Sequence, residues 1–427
     1  MISESSKNVD KDHCTRAVKL LYIRASASSL SSNMIGPLVP YLLVQYGGGA
    51  SESGWYQALN NLLNNIGQVL WGRIGDICKF RKTLLILGVA STIIMPLVVL
   101  VVLSIFGSIN PHTIIMASAL ASLLGSASAP VLAPLIGDIA GEARRTAEIL
   151  AALSNLSTAF SLIGGISATL LLQILTDTML GYITLSATAL MLSLTAIIFT
   201  VLVPRVVTES GNCKPSTRLG IAQEFKSFGA DIKKVITNTR FRGFVIANTV
   251  YNFSMSIAWP LFILTQRNVL RLTPAQVVSI SVASNISVIV SQHLTGKYLK
   301  RSLYKPLTLA NRLGLVIVPL IYAYATSYTH LLILNIYTGI LSGFANIVFP
   351  MYILESAEAR DRALYTGVYN MFIGIATFAG SLLGGELASY AIAVYGLEQG
   401  LRLVYIVGTV ARLISAVLLL RLKEFIF

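Results

Sequence analysis

Gln68-Val69-Leu70-Trp71-Gly72 recurs 224 residues later as Gln292-His293-Leu294-Thr295-Gly296. Each copy closes an apolar stretch and opens a basic loop. Lys79, Arg81 and Lys82 follow the first copy, and Lys300, Arg301 and Lys305 follow the second. Asn61 and Asn285 keep the same offset. Further along, Pro134 and Glu142-Ala143-Arg144 return as Pro350 and Glu358-Ala359-Arg360, 216 residues apart. A chain that echoes itself at half its length carries two copies of one structural unit.

The composition places that unit in a membrane. Hydrophobic residues make up 55% of the chain and charged residues only 12%, about half the charge of an ordinary soluble domain. A spanning helix needs roughly 20 apolar residues, and twelve such stretches are legible. They cover 18–45, 54–75, 83–106, 112–136, 147–172, 181–203, 243–266, 274–296, 305–326, 330–354, 363–392 and 401–421. No ten-residue blocks alternate with period two, which argues against an outer-membrane barrel. The expectation is an all-α integral membrane protein of twelve transmembrane helices in two six-helix repeats. Many secondary transporters are built by such duplication, with the substrate site between the repeats.

Basic residues set the orientation. With the N-terminus in the cytoplasm, 28 of the 32 Lys and Arg fall on that side, counting loop 8–9 through Arg312. Arg267, Arg271 and Arg402 fall on the other side, and Arg412 lies within the last span. This is a strong positive-inside bias. The net charge of +14 is therefore a topology signal and points to no nucleic-acid partner. The chain is polar through Arg16 and then enters a long apolar span, unlike a cleavable signal peptide. Cys14, Cys78 and Cys213 all fall on the cytoplasmic side without metal-ligand spacing, which argues against disulfides and a zinc site. Both termini are expected in the cytoplasm, with the protein in the cell membrane.

One connection is long, from Pro204 to Arg242. Ile221, Phe225, Phe228, Ile232 and Val235 follow one another there at steps of four, three, four and three. That spacing predicts an amphipathic helix, its Lys226, Lys233 and Lys234 on other faces, lying on the anionic leaflet. A partner-docking helix is the alternative. The expected division is a first bundle over 1–203, a central loop over 204–242 and a second bundle over 243–427.

Gly72-Arg73-Ile74-Gly75-Asp76-Ile77-Cys78-Lys79-Phe80-Arg81-Lys82 resembles the loop 2–3 signature of the major facilitator superfamily: Gly, three residues, Asp, then a basic cluster. In the second half Gly296 and Lys305 fit, while Lys300 replaces the Asp. Twelve spans, a central loop and repeated halves extend the resemblance over the whole chain. It implies a cytoplasmic latch made by Gly72, Asp76, Arg81, Lys82 and Gly296, with Arg144, Arg360 and Arg362 near the starts of spans 5 and 11. Its physical basis is close helix approach at Gly and a carboxylate near a helix N-terminus.

Polar residues inside the spans mark the interior. Gln57, Asn61, Asn64 and Gln68 share one face of span 2, and Ser281, Asn285 and Gln292 sit at equivalent places on span 8. Such amides face protein or water rather than lipid. They either bond neighbouring helices or line a solute path. Span 1 carries Ser26, Ser28, Ser29, Ser31, Ser32 and Asn33 before Gly36-Pro37, and span 7 carries Asn248, Tyr251 and Asn252 before Trp259-Pro260. Paired prolines in paired spans point to a moving site. In the superfamily that the chain resembles, helices one, four, seven and ten line the central cavity. The resemblance therefore implies Asn33, Asn248, Asn252, Trp259 and Asn346 as solute contacts.

Two charges lie deep in the membrane. Arg412 is about 15 Å from either end of its span at a rise of 1.5 Å per residue, and Glu386 sits near the external end of span 11. Arg24, near the cytoplasmic end of span 1, either snorkels or meets an anionic solute. Spans 1, 4, 7 and 10 hold no mid-membrane Asp or Glu, which favours facilitation or solute exchange over proton coupling. No Ser/His/Asp set or metal cluster is present in the sequence, and an enzyme is not expected. The expected protein is a monomeric permease without a cofactor, its partners a small-molecule solute and the lipid bilayer. A non-transporting receptor or scaffold of the same fold is the competing class.

Overall fold

The computed structural model describes residues 2–78, 80–140, 143–175, 178–204, 229, 232–356 and 362–421. Every predicted span is helical. Span 1 comprises helix Ile2–Ile35, a 3-10 turn Gly36–Leu38 and helix Val39–Gln45, and span 2 is Ala50–Cys78. Spans 3 and 4 are each broken once, as Arg81–Ala90 with Ile94–Phe106 and Pro111–Gly125 with Ser128–Ala140. Spans 5 and 6 are Ala143–Ile174 and Thr178–Leu202. Span 7 runs Thr239–Ala258 and then through a 3-10 turn, Trp259–Leu261, to a π-helical turn, Thr265–Val269. Spans 8 to 12 are Pro274–Tyr298, Tyr304–Gly314 with Ile317–Tyr324, Tyr328–Ser356, Arg362–Tyr395 and Leu397–Arg421.

Local sequence explains the breaks and ends. Pro37 and Pro260 lack the N–H that continues an α-helix, and both fall within 3-10 turns. Span 3 stops at Gly107, which adopts φ 68°, a left-handed conformation that glycine accepts without cost. Thr273 starts span 8 with a capping box: its hydroxyl accepts from the Gln276 N–H while the Gln276 side chain accepts from the Thr273 N–H.

Nine of the described helices are long and apolar enough to cross a membrane by length and composition. Spans 1, 2 and 7 are not among them, and these are the spans loaded with Ser, Asn and Gln. Their shortfall in hydropathy is the cost of polar groups kept inside the fold.

The chain forms two compact units. One comprises Met1–Gly36, Gly67–Ile109 and Met116–Gln223, and the other Pro37–Ile66, Asn110–Ile115 and Glu224–Phe427. The first has an aliphatic core, where Leu21 and Ala25 meet Leu84, Leu85, Val131, Leu135 and Ile149. The second has an aromatic one, where Phe241, Phe244, Tyr251, Tyr352 and Tyr365 are all buried. Of the expected central amphipathic helix, Ile221, Phe225, Lys226 and Phe228 lie outside the described residues. Residues 232–237 are helical, and Val235 is packed into the aromatic core.

In lipid, helices gain little from hiding apolar surface from one another, so close backbone approach and polar contacts hold them together. A Cβ on Gly164 of span 5 would lie 2.5 Å from the Leu30 carbonyl oxygen of span 1. Gly380 of span 11, 216 residues on, meets the Phe253 carbonyl of span 7 in the same way, and Gly384 meets that of Ile257. Each half thus packs its first helix on its fifth through glycine.

Candidate functional site

Span 7 gathers the densest polar set in the second unit. Asn248 is fully buried and donates to the Phe244 carbonyl at 2.9 Å. Its side-chain oxygen accepts a hydrogen bond from the Arg312 guanidinium of span 9. Asn252, one turn on, donates to the Asn248 carbonyl at 2.8 Å. Tyr251 donates its hydroxyl to the Arg312 carbonyl at 2.9 Å. The Arg312 guanidinium lies 4.2 Å from the Tyr251 ring centre and 4.5 Å from that of Phe349. Ring faces attract a desolvated cation, so span 9 plants its charge in a cage contributed by spans 7 and 10.

Arg412 is the second buried guanidinium of this unit. It donates to the carbonyls of Leu315 at 3.0 Å and Met255 at 2.7 Å. These are span 9 and span 7 backbone groups, and Leu315 lies at the break in span 9, where helical bonding is interrupted. Arg412 faces the interior and serves the backbone of two neighbouring spans. Neither Arg312 nor Arg412 has a carboxylate partner among the described residues.

In the first unit Asn33 donates to the Ser161 hydroxyl of span 5 at 2.8 Å and to the Ser29 carbonyl at 3.2 Å. The Ser31 hydroxyl bonds that of Ser193 and donates to the Ala189 carbonyl, both at 2.8 Å. Span 1 is thereby bound to spans 5 and 6. Asn61 differs: its side-chain nitrogen is buried without a hydrogen-bond partner. Asn64, Asn285 and Asn346 are exposed, and Trp259 is 41% exposed.

The latch residues distribute as follows. Arg81 pairs with Asp138 at the end of span 4. Lys82 donates to the Val201 carbonyl at 2.8 Å and to that of Val203, closing the end of span 6. A Cβ on Gly72 would sit 3.3 Å from Pro130, whereas one on Gly296 would meet only Ile347 at 3.7 Å. Arg362 is exposed. Asp76 and Arg144 are helical, with side chains outside the described set, and Arg360 lies outside the described residues.

Glu386 accepts a hydrogen bond from Ser51 of span 2 at 2.6 Å. Beside it the backbones of spans 2 and 11 touch, where a Cβ on Gly54 would lie 2.9 Å from the Gly385 Cα. Elsewhere a cleft of about 160 Å3 opens between the ends of spans 7, 9 and 12, lined by Thr265, Tyr322, Tyr324, Glu398, Arg402 and Tyr405. Arg402 is already engaged there by Glu398 at 3.1 Å and by the Ala323 carbonyl.

Sequence reasoning found Asn248, Tyr251, Asn252 and Arg412 as polar groups in apolar spans. Arg312 it assigned to a basic loop, whereas the residue lies inside span 9 and is 4% exposed. Its place eight residues into a predicted span was the available signal.

Solved structures of transporters share this architecture. A nucleoside transporter, NupG in its D323A form, superposes with a TM-score of 0.71 at 15% identity, over 96% of this chain and 100% of its own. The human organic anion transporter MFSD10 (TETRAN) gives 0.59 at 13%, over 95% and 99%. A D-xylose–proton symporter gives 0.61 at 12%, over 94% and 96%. At these identities the likeness concerns the fold alone. No curated protein matches the sequence significantly. The sequence model of the Major Facilitator Superfamily matches residues 21–329 and 244–425. With twelve helical spans, repeated halves and a match over nearly its whole length, the chain belongs to the Major Facilitator Superfamily.

Proposed function

We propose that this multi-pass membrane protein is a secondary transporter that moves a small organic solute by alternating access. Membership of a transporter superfamily supports transport as such. The observation that carries the site is the polarity of spans 1, 2 and 7, two of them broken at Pro37 and Pro260. Polar groups are held in the membrane at a cost, and the buried, unpartnered amide nitrogen of Asn61 is a donor waiting for an acceptor. Asn33, Asn61, Asn64, Asn248, Tyr251, Asn252, Trp259, Asn285 and Asn346 are the proposed solute-facing set. Arg312 holds Asn248 and Tyr251 in place from behind.

The proposed working halves are 1–203 and 243–427, joined by 204–242. Both termini are placed in the cytoplasm and the chain in the cell membrane, on the distribution of its basic residues. The latch is proposed on the cytoplasmic side around Gly72, Asp76, Arg81, Lys82, Arg144, Gly296, Arg360 and Arg362. The protein is proposed to act as a monomer, without a cofactor and without enzymatic activity. With Asp138 engaged by Arg81 and no mid-membrane carboxylate on spans 1, 4, 7 or 10, facilitation or solute exchange is favoured over proton coupling.

Purified protein in proteoliposomes, challenged with a solute panel with and without a pH gradient, tests this. Uptake of at least one solute, unaffected by the gradient, is expected. If no solute moves under any gradient, the scaffold reading replaces transport; accumulation driven by the gradient would instead establish proton coupling.

A further inference from the structure

We propose that Arg24 anchors an anionic group of the transported solute, a carboxylate or a phosphate, within the first half of the chain. This rests on the transport reading above and specifies its substrate class.

Arg24 lies on span 1, only 8% exposed, between Leu21 and Ala25 of the aliphatic core. Its Nε is buried without a hydrogen-bond partner. Among the described residues nothing gives its guanidinium a hydrogen bond, an ion pair or an aromatic face. A guanidinium does not lose its proton to escape this situation. A buried charge without a partner is among the most destabilising arrangements a fold tolerates, and such groups inside a membrane mark substrate paths.

The repeat shows what is missing. At the offset of 224, Arg24 corresponds to Asn248 and Gly88 of span 3 corresponds to Arg312. Among the described residues each half therefore buries one arginine on this pair of spans, from span 1 in the first half and from span 9 in the second. The second half gives its arginine partners, although the Arg312 Nε is itself left without one. Asn248 accepts its hydrogen bond, and Tyr251 and Phe349 face it at 4.2 and 4.5 Å. In the first half, the residue corresponding to Tyr251 is Ala27, and at the offset of 216 that corresponding to Phe349 is Ala133. Methyl groups stand in place of rings, and no amide oxygen is supplied. The first half keeps the cation and omits the ring faces and the amide oxygen that face it in the second, and in the proposed site an acceptor from outside the chain takes that role. Ser28, one helical turn on, adds a hydroxyl donor for the same oxyanion. A planar fork of N–H donors matches carboxylate and phosphate oxygens.

The test uses full-length protein in phosphatidylcholine vesicles, as wild type, Arg24→Gln and Arg24→Lys. Probes are inorganic phosphate, glucose 6-phosphate and succinate, against the uncharged glucose, succinamide and uridine. At least one anion should be taken up by wild type and raise its Tm. Arg24→Gln should lose that uptake by about tenfold or more, the worth of a charge-assisted hydrogen bond. It should also lose the anion-induced rise in Tm. Its own Tm without anion should equal or exceed that of wild type, because the unpaired charge is gone. Arg24→Lys should retain part of the uptake.

Several results would overturn the proposal. If only uncharged probes move, and move equally in wild type and Arg24→Gln, transport stands and the anchor falls. Anion uptake undiminished in Arg24→Gln has the same consequence. A lower Tm with loss of all uptake makes Arg24 structural. If stabilisation follows added phosphatidylglycerol and ignores the soluble anions, the occupant is a lipid headgroup. Should wild type move and bind none of the probes, the transport reading fails together with the anchor.

Discussion

Asn248 serves the Arg312 guanidinium with its oxygen and the span 7 backbone with its nitrogen. Both ends of the amide are thus occupied, and its largest contribution is to hold a buried cation. Removing one member of a buried polar pair leaves the other uncompensated, whereas removing both does not. Asn248→Leu alone should therefore lower Tm more than Asn248→Leu combined with Arg312→Met. A double-mutant cycle read by thermal unfolding should give a coupling of about 1–2 kcal/mol. Additivity of the two single changes would show that the contact carries no stability. The sequence made Asn248 and Arg412 legible because each is conspicuous in an apolar span. Arg312 was hidden by its neighbours, since Lys305, Arg301 and Lys300 make it read as the end of a basic loop. Its burial depends on aromatic rings from spans 7 and 10, and sequence spacing does not reveal that three spans converge.

At the scale of elements, the twelve helices were legible because each apolar stretch approaches the thickness of a bilayer. Breaks at Pro37 and Pro260 were legible from the imino acid. The breaks at Ser91–Ile93 and after Gly125 and Gly314 each lie four residues before a proline, Pro96, Pro130 and Pro319, a signal of the same kind that the sequence reading passed over. Glycines that look alike in sequence separate sharply in space. A Cβ at Gly384 collides with the Ile257 carbonyl, one at Gly72 presses Pro130 at 3.3 Å, and one at Gly296 meets Ile347 at an ordinary 3.7 Å. Backbone cannot yield as a side-chain tip can, and overpacking costs about 1–3 kcal/mol. Alanine substitutions should thus lower Tm in the order Gly384, Gly72, Gly296, the last near zero. A Gly296→Ala variant as unstable as Gly384→Ala would contradict this geometry. If Gly296→Ala is stable yet loses transport, its role lies in motion and supports the proposed latch.

For the whole molecule, the second compact unit contains the ends of spans 1 and 2 that lie away from the basic loops. Tyr41 of span 1 donates to the Leu272 carbonyl at 3.2 Å, with the Arg267 guanidinium 5.5 Å above its ring. Ser51 and Gly54 of span 2 meet Glu386 and Gly385 of span 11. These contacts lie within the second unit and join segments of spans 1 and 2 to span 11 and to the span 7–8 connection. In the proposed alternating-access cycle these contacts open once per turnover. The contacts are suited to that: one hydrogen bond to an exposed carboxylate and a glycine crossing carry little of the stability of a bundle core. A variant lacking the 3 native cysteines and carrying Ser51→Cys and Glu386→Cys should form a disulfide on oxidation. That bond should halt solute uptake, while reduction restores it. Each single-cysteine variant should transport under both conditions. Uptake that continues after complete cross-linking would mean that this end stays shut throughout the cycle, and that the solute does not pass between spans 2 and 11.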